Sequence, residues 1–224
     1  FWFGKPGTPG YLEPNPAWFA KDPAFDALIA QRFGGLLDLA LRGGPDAVRA
    51  LPRGDDPTRQ ALARIIVCDQ FPRNAWRDRP SAFALEPIAL ATSHALIGTP
   101  EERALAPVQR IFVYMPLMHA ESLPEQERCV ELFRALAEEA GVAADSYDYA
   151  VKHEAIIRRF GRFSHRNEIL GRQSTAEELA FLAARGRVST VATLRAMARG
   201  GAGATLVEMK VVDGAYPLAG AVAL

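Results

Sequence analysis

Between residues 1 and 187 the sequence predicts an all-α domain of seven or eight helices with no sheet. Three observations carry that reading. Asp, Ser and Thr recur where a helix needs a cap, Pro recurs just behind them, and apolar residues then follow at a spacing near 3.6. Asp22-Pro23 opens a stripe of Phe25, Leu28, Ile29, Phe33, Leu36, Leu37 and Ala40, which Gly43-Gly44 should close. Asp56-Pro57 launches Leu62, Ile65 and Ile66 down to Asp69, and Pro72, lacking an amide proton, should end that helix. Glu86-Pro87 precedes Ile88, Ala91 and Ala95, and Thr99 with Glu102 has the spacing of a capping box. Pro107 to Tyr114 reads as a short aromatic-rich helix, and Ser122 with Glu125 as a second capping box before Val130, Phe133, Leu136 and Ala137, stopped by Gly141. Asp145 should cap a helix that carries Tyr149, His153, Ile156, Ile157 and Phe160 on one face and ends at Gly161. Ser174-Thr175 with Glu177-Glu178 offers overlapping capping boxes for the last helix, through Leu179, Phe181 and Leu182 to Gly186.

Residues 188–224 have a different texture and are expected to be an appended tail, flexible or a short hairpin, dispensable for folding of the helical part. Gly200-Gly201-Ala202-Gly203 reads as a flexible connection, Leu206 to Val212 alternates with Val207, Met209 and Val211 on one face, and Asp213-Gly214 is a turn dipeptide.

The 224 residues, 49% of them hydrophobic and 23% charged, have the composition of a globular chain and contain no apolar run of membrane length. Lys+Arg 26 against Asp+Glu 26 leaves a formal net charge of +0, so no global field draws the chain to nucleic acid or anionic lipid, and any anion site must be local. Cys68 and Cys129 both fall in apolar helical patterns, which argues against a disulfide framework and a zinc knuckle, and for a reducing, cytoplasmic setting. The start at Phe1-Trp2-Phe3-Gly4 has neither a basic nor a cleavage region of a secretory signal, and the missing Met leads us to expect a trimmed start.

Polar residues that fit no solvated helix face gather in three segments. The first, Cys68 to Asn74, brings Asp69, Gln70, Arg73 and Asn74 to a helix end, where Arg73 and Asn74 could equally tie down the turn. The second places His119 and Glu121 at a helix end; a His-x-Glu pair occurs in zinc deaminases, but the Pro-Cys-x-x-Cys they need is missing. These two residues are read as pocket lining, with Glu121 favoured near the next helix start. The third runs from His153 to Asn167 with Gly171-Arg172 and is the densest, setting Arg158, Arg159, Arg162, Arg166, Arg172, His153 and His165 against Glu154 and Glu168. Guanidinium forks match the paired oxygens of carboxylate and phosphate, so this segment suits an anion; the same arginines could instead cap a helix or pair with Asp69 and Glu121.

These segments also carry a family resemblance. Phe1-Trp2-Phe3-Gly4, Trp18-Phe19 with Phe25-Asp26, Asp69 through Asn74, Ala82-Phe83-Ala84, Tyr114 through His119, and His153 through Gly171 together resemble the bacterial family designated domain of unknown function 924, over residues 1–187. The resemblance implies a tetratricopeptide-like arrangement of stacked antiparallel helix pairs with the polar motifs in one pocket, and it supplies no reaction. Ala120 stands where the family usually has Ser, and Ser164 where it usually has Pro. The tail lies outside this pattern; Val207 to Leu218 resembles part of the extracytoplasmic region of bacterial lipoprotein-export-type transporter permeases.

From the charge cluster and the motifs together, the expected function is binding of a small anionic metabolite, a phosphate or carboxylate, by a hydrolase. In that reading Arg73, Arg162 and Arg166 clamp the anion, with Gln70, Asn74, His119, Glu121, Arg159 and Asn167 completing the pocket. His153 or His165 is the general acid/base, because imidazole titrates near neutrality, and Asp69 orients one imidazole. No metal and no cofactor are expected. The competing reading is a non-enzymatic module whose stacked helices present a groove to a peptide and whose polar motifs only hold the stack together. Nucleic acid ranks third, on Phe160 and Phe163 among the arginines, and the sequence carries no signal for oligomeric state.

Overall fold

The computed structural model describes residues 1–49, 56–140, 143–185, 191–200 and 203–212. Among them the helices follow the caps closely. The Asp22 carboxylate accepts from the amides of Ala24 and Phe25 at the start of α1 (Pro23–Arg49), and Asp56 does the same for Thr58 and Arg59 at α2 (Pro57–Ile65). Within α1 the predicted stop appears as a break at Gly44, whose φ of 59° is left-handed and suits a residue without Cβ.

Pro72, expected to end a helix, does not. After α2 the chain passes through a π-helical turn (Ile66–Gln70) into α3 (Phe71–Ala75), with the Phe71 amide bonded five residues back to the Ile66 carbonyl. Widening the ladder by one residue accommodates Pro72, which has no amide to offer, so the helix continues beyond Asp69 and Asp69 and Gln70 sit inside it. The aromatic-rich helix expected over Pro107 to Tyr114 is longer: α6 (Pro107–His119) carries Pro116 in its interior and ends at His119, where a helix end was expected.

Between these lie α4 (Glu86–Leu96) and the single turn α5 (Pro100–Arg103), where Thr99 caps the Glu102 amide as expected. Beyond α6 come α7 (Leu123–Ala140) and α8 (Ala144–Phe160). Asp145 is not the cap of α8: it lies in the first turn, where its charge still favours the helix N-terminus. Gly161, at φ 70°, closes α8 in the left-handed conformation. At α9 (Ala176–Arg185) the capping box is complete, Thr175 Oγ1 accepting from the Glu178 amide and the Glu178 carboxylate from the Thr175 amide.

Packing is organised around α6, which touches α2, α4, α7 and α8. Its Phe112 meets the rings of Trp2, Phe3 and Trp18 with centroids 4.9–5.6 Å apart, and this aromatic cluster continues through Phe25, Phe71 and Phe33. The two ends of α6 project away from that apolar middle into two separate polar clusters.

The chain divides into a unit of Phe1–Arg172 and a second of Gln173–Leu224. No strand occurs among the described residues up to 185. In the second unit β1 (Val191–Gly200) pairs antiparallel with β2 (Gly203–Val212), Gly200 opposite Gly203. A strand was expected over Leu206 to Val212, but its partner precedes it: the glycine-rich stretch ends one strand and begins the next, while the expected turn at Asp213-Gly214 lies outside the described residues.

Candidate functional site

The π-helical turn sets the geometry of the first polar segment. It buries Asp69 and Gln70 completely or nearly so, and leaves Arg73 one helical turn further on the same face. Across from them, the end of α6 brings in His119, whose Nδ1 lies 2.7 Å from Asp69 Oδ1 and 3.0 Å from Oδ2. Gln70 Nε2 donates to the same carboxylate, and Arg73 Nη2 stands 3.5 Å away, closer to an ion pair than to a hydrogen bond. Arg73 also forms an ion pair with Glu86 at the start of α4, and Arg166 Nη1 donates to the other Glu86 oxygen at 3.1 Å.

The electrostatics fix the protonation states. Burial would raise the Asp69 carboxyl, but the charges of His119 and Arg73 and the hydrogen bonds from His119 and Gln70 outweigh it and hold it far below the carboxylate range. Burial, together with Arg73, lowers the His119 imidazole in spite of Asp69. At neutral pH the pair is therefore a carboxylate and a neutral imidazole that donates its Nδ1–H to Asp69. Nε2 is left as the basic nitrogen, and nothing among the described residues bonds to it. Burial also lowers His153, whose Nδ1 lies 2.8 Å from the Tyr149 carbonyl.

His119 and His153 line one cavity of about 720 Å³. Its polar end holds Gln70, Arg73, Asn74 and the two imidazoles, while Trp18, Phe19, Ile111, Phe112, Met115 and Met118 form much of the apolar wall. Asn74 and Arg77 reach its edge already committed to Asp26: Asn74 Nδ2 donates at 2.8 Å, and Arg77 clamps the carboxylate through two bonds of 2.8 and 2.9 Å.

The structure thus gathers five of the residues singled out from the sequence, Gln70, Arg73, Asn74, His119 and His153, around one space with Asp69 directly behind them. The imidazole expected beside Asp69 is that of His119. His165 is exposed and, with Glu121, Arg159, Arg162, Arg166 and Asn167, is not part of the cavity wall. Arg166 is instead buried, its guanidinium 4.6 Å from the ring centroids of both Phe83 and Phe163 and Nη2 bonded to the His119 carbonyl at 3.0 Å, so it braces the end of α6. Glu121 takes two bonds from Arg172, at 2.6 and 2.9 Å, and one from the Phe163 amide. Burial opposes ionisation of Glu121, but Arg172 and that amide hold its carboxyl below the ordinary range. Arg159 lies over the Phe160 ring on the exposed side of α8, Arg162 is half-buried, and the buried Asn167 accepts the Arg172 amide on its carbonyl. Cys68 is fully buried, and burial pushes its thiol up to about 12.

Sequence reasoning missed Glu86 and Asp26, the carboxylates that partner Arg73, Arg166 and Arg77. An acidic residue in a first helical turn is ordinary, so neither carried a signal beyond Asp26 and the nearby Phe83 falling in the recurring motifs. It also placed Tyr149 on a core face, whereas the side chain is exposed at the cavity.

Fold and site together define a helical unit, Phe1–Arg172, with a carboxylate-held imidazole opening on an apolar-walled cavity. The chain belongs to the family of bacterial proteins of unknown function designated DUF924, whose model matches residues 1–186. Among solved structures it is similar to the protein of unknown function ATU0120 from Agrobacterium tumefaciens, at 34% identity and a TM-score of 0.63 over 75% of this chain and 89% of that one. No curated protein matches the chain. Among the described residues, no helix is long and apolar enough to cross a membrane.

Proposed function

We propose that the protein is a hydrolase for a small carboxylate or phosphate derivative, with His119 as general base, Asp69 as the residue that orients it and Arg73 as the contact for the anionic group. The single observation that carries this is the Asp69–His119 pair at the wall of the 720 Å³ cavity. In the reaction Nε2 takes a proton from a water whose oxygen bonds to the acyl carbon or phosphorus. The bond to the leaving group then breaks, and the leaving group recovers the proton from the imidazolium. Asp69 fixes the tautomer and stabilises the cation that forms. His153, on the same wall, supplies a second neutral imidazole.

Thermal-shift screening of phosphorylated metabolites and carboxylates, followed by hydrolysis assays on the compounds that stabilise, tests the reading. Turnover should fall at least 100-fold in His119→Gln while the unfolding midpoint moves little. A screen without a stabilising ligand, or full turnover in that variant, would refute it.

One observation favours the second reading, a non-enzymatic helical module: Arg73, Arg77, Arg166 and Arg172 each already have a carboxylate partner, as polar motifs that only hold helices together would. Under that reading His119→Gln changes no binding or turnover.

A further inference from the structure

The balance of charge at the cavity's polar end narrows the ligand. Arg73 and Arg166 face Asp69 and Glu86, and Arg77 is held bidentate by Asp26. Two guanidiniums against two carboxylates leave no net positive charge for a dianion, and the neutral imidazoles add none. A phosphate monoester would enter as an uncompensated dianion, whereas a monocarboxylate asks only for the partly exposed edge of Arg73 and one proton, taken up from solvent on binding and held between its second oxygen and His119 Nε2.

The rest of the wall asks for hydrocarbon. Beyond the polar end, and apart from Arg77, Asp145 and Ser146, much of it is apolar: Ile111, Phe112 and Trp18 stand beside Met115 and Met118, whose unbranched side chains adapt to a chain. It also has an unusual rim. Phe19, 65% exposed, and Tyr149, 57% exposed, are the most exposed aromatic side chains among the described residues, and both line this cavity. The Phe19 ring is stacked on Phe112 at 6.3 Å with only 4° between planes, so one of its faces is set by the protein while much of the ring meets solvent. Large apolar rings left open at a cavity mouth are surface that a ligand would cover.

We infer that the cavity takes a monocarboxylate with an unbranched aliphatic tail: the carboxylate at Arg73 and His119, the chain along Met115 and Met118, its far end between water and the rings of Phe19 and Tyr149. The inference rests on the proposed site and specifies its substrate class: the ligand is the acid released from a straight-chain acyl compound, so the proposed hydrolysis would act on the corresponding ester or thioester.

Calorimetric titration of the full chain with acetate, butanoate, hexanoate, octanoate and decanoate tests it directly. Affinity should rise about 3–4-fold per methylene until the cavity is filled, as burial of a CH2 group predicts. Phe19→Ala and Tyr149→Ala, both at exposed positions where folding is safe, should each weaken octanoate and decanoate about 5-fold or more and leave butanoate unchanged. Octanoate should bind at least 10-fold more tightly than octanol and than octyl phosphate. Affinity independent of chain length, length dependence untouched by the two variants, or octyl phosphate binding as tightly as octanoate would each overturn the inference. The outcome is separable from that of the hydrolase reading. Chain-length-dependent binding without ester cleavage sinks the hydrolase and keeps the ligand class; cleavage of short phosphate esters alone does the reverse.

Discussion

The two ends of α6 carry clusters built from the same parts and used differently. At the N-terminal end Arg110 donates to Glu102, to Glu139 and to the Tyr114 hydroxyl, and Tyr114 in turn donates to Glu102, which also accepts the Gly98 amide. At the C-terminal end His119, Asp69, Arg73 and Glu86 form an equally dense set. Titration is strongly displaced in both. Burial pushes the Tyr114 hydroxyl up, and burial of Glu102 is overcome by Tyr114, Gly98 and Arg110, which hold its carboxyl low. Neither Glu102, Tyr114 nor Arg110 lines the 720 Å³ cavity, while His119 and Arg73 do. Displaced titration therefore marks burial at both ends, and only access to a space with a free ring nitrogen separates a site from a brace.

The largest effect that would sharpen this contrast is on stability. Asp69→Ala leaves Arg73 short of one carboxylate and His119 without its partner in a buried setting, and should cost about 3–5 kcal/mol in urea unfolding. The pH dependence carries the sign. Because the folded carboxyl is held below its unfolded value near 3.9, its stabilisation is complete above that pH and fades only as acid brings the pH down through the depressed folded value. The variant should lose that part of the acid slope; an unchanged slope would mean that Asp69 is not the ionised partner.

Next in size is the effect of pH on turnover, which distinguishes the two ends by function. Burial and Arg73 set His119 below the usual imidazole value near 6.5, so the basic form is already dominant at neutrality. The rate for a hydrolysed substrate should be flat from pH 7 upward and fall in acid below that usual value, and Asp69→Asn should abolish the plateau by releasing the tautomer. A rate that instead rises through pH 8 would assign the base elsewhere.

Tyr114→Phe is the matched change at the closed end. It removes a hydroxyl that donates to Glu102 and accepts from Arg110, and should cost about 1–2 kcal/mol while leaving carboxylate affinity at the cavity within 2-fold. Weakened binding would show that the two ends are coupled through α6.

What the sequence made legible follows from range. Asp22, Asp56, Thr99 and Thr175 cap where they stand because a cap is settled within three residues. Pro72 misled because its effect depends on what else can absorb a missing amide, and a π-helical turn is not written in any local pattern. Asp69 and His119 were both conspicuous, yet their pairing spans 50 positions and depends on that turn, so which imidazole Asp69 meets was not legible. The excess of arginine over carboxylate in the third segment was real within that segment. In three dimensions Glu86 and Glu121 arrive from outside it and pair with Arg166 and Arg172.

The smallest expected effect concerns the end of the chain. The family pattern stops at residue 186, and the paired strands beyond it satisfy one another's backbone, Val191 opposite Val212 through to Gly200 opposite Gly203. A two-stranded ribbon is marginal by itself, and Phe1–Arg172 is a compact unit without it. Removing residues 187–224 should therefore shift the unfolding midpoint of the helical part by no more than about 2 °C, the shift expected for a loss of at most about 1 kcal/mol in a domain of this size. It should also leave octanoate affinity unchanged. A drop of several degrees would make the ribbon an integral part of the helical domain, and the comparison between the two ends of α6 would then have to include what the ribbon contributes to them.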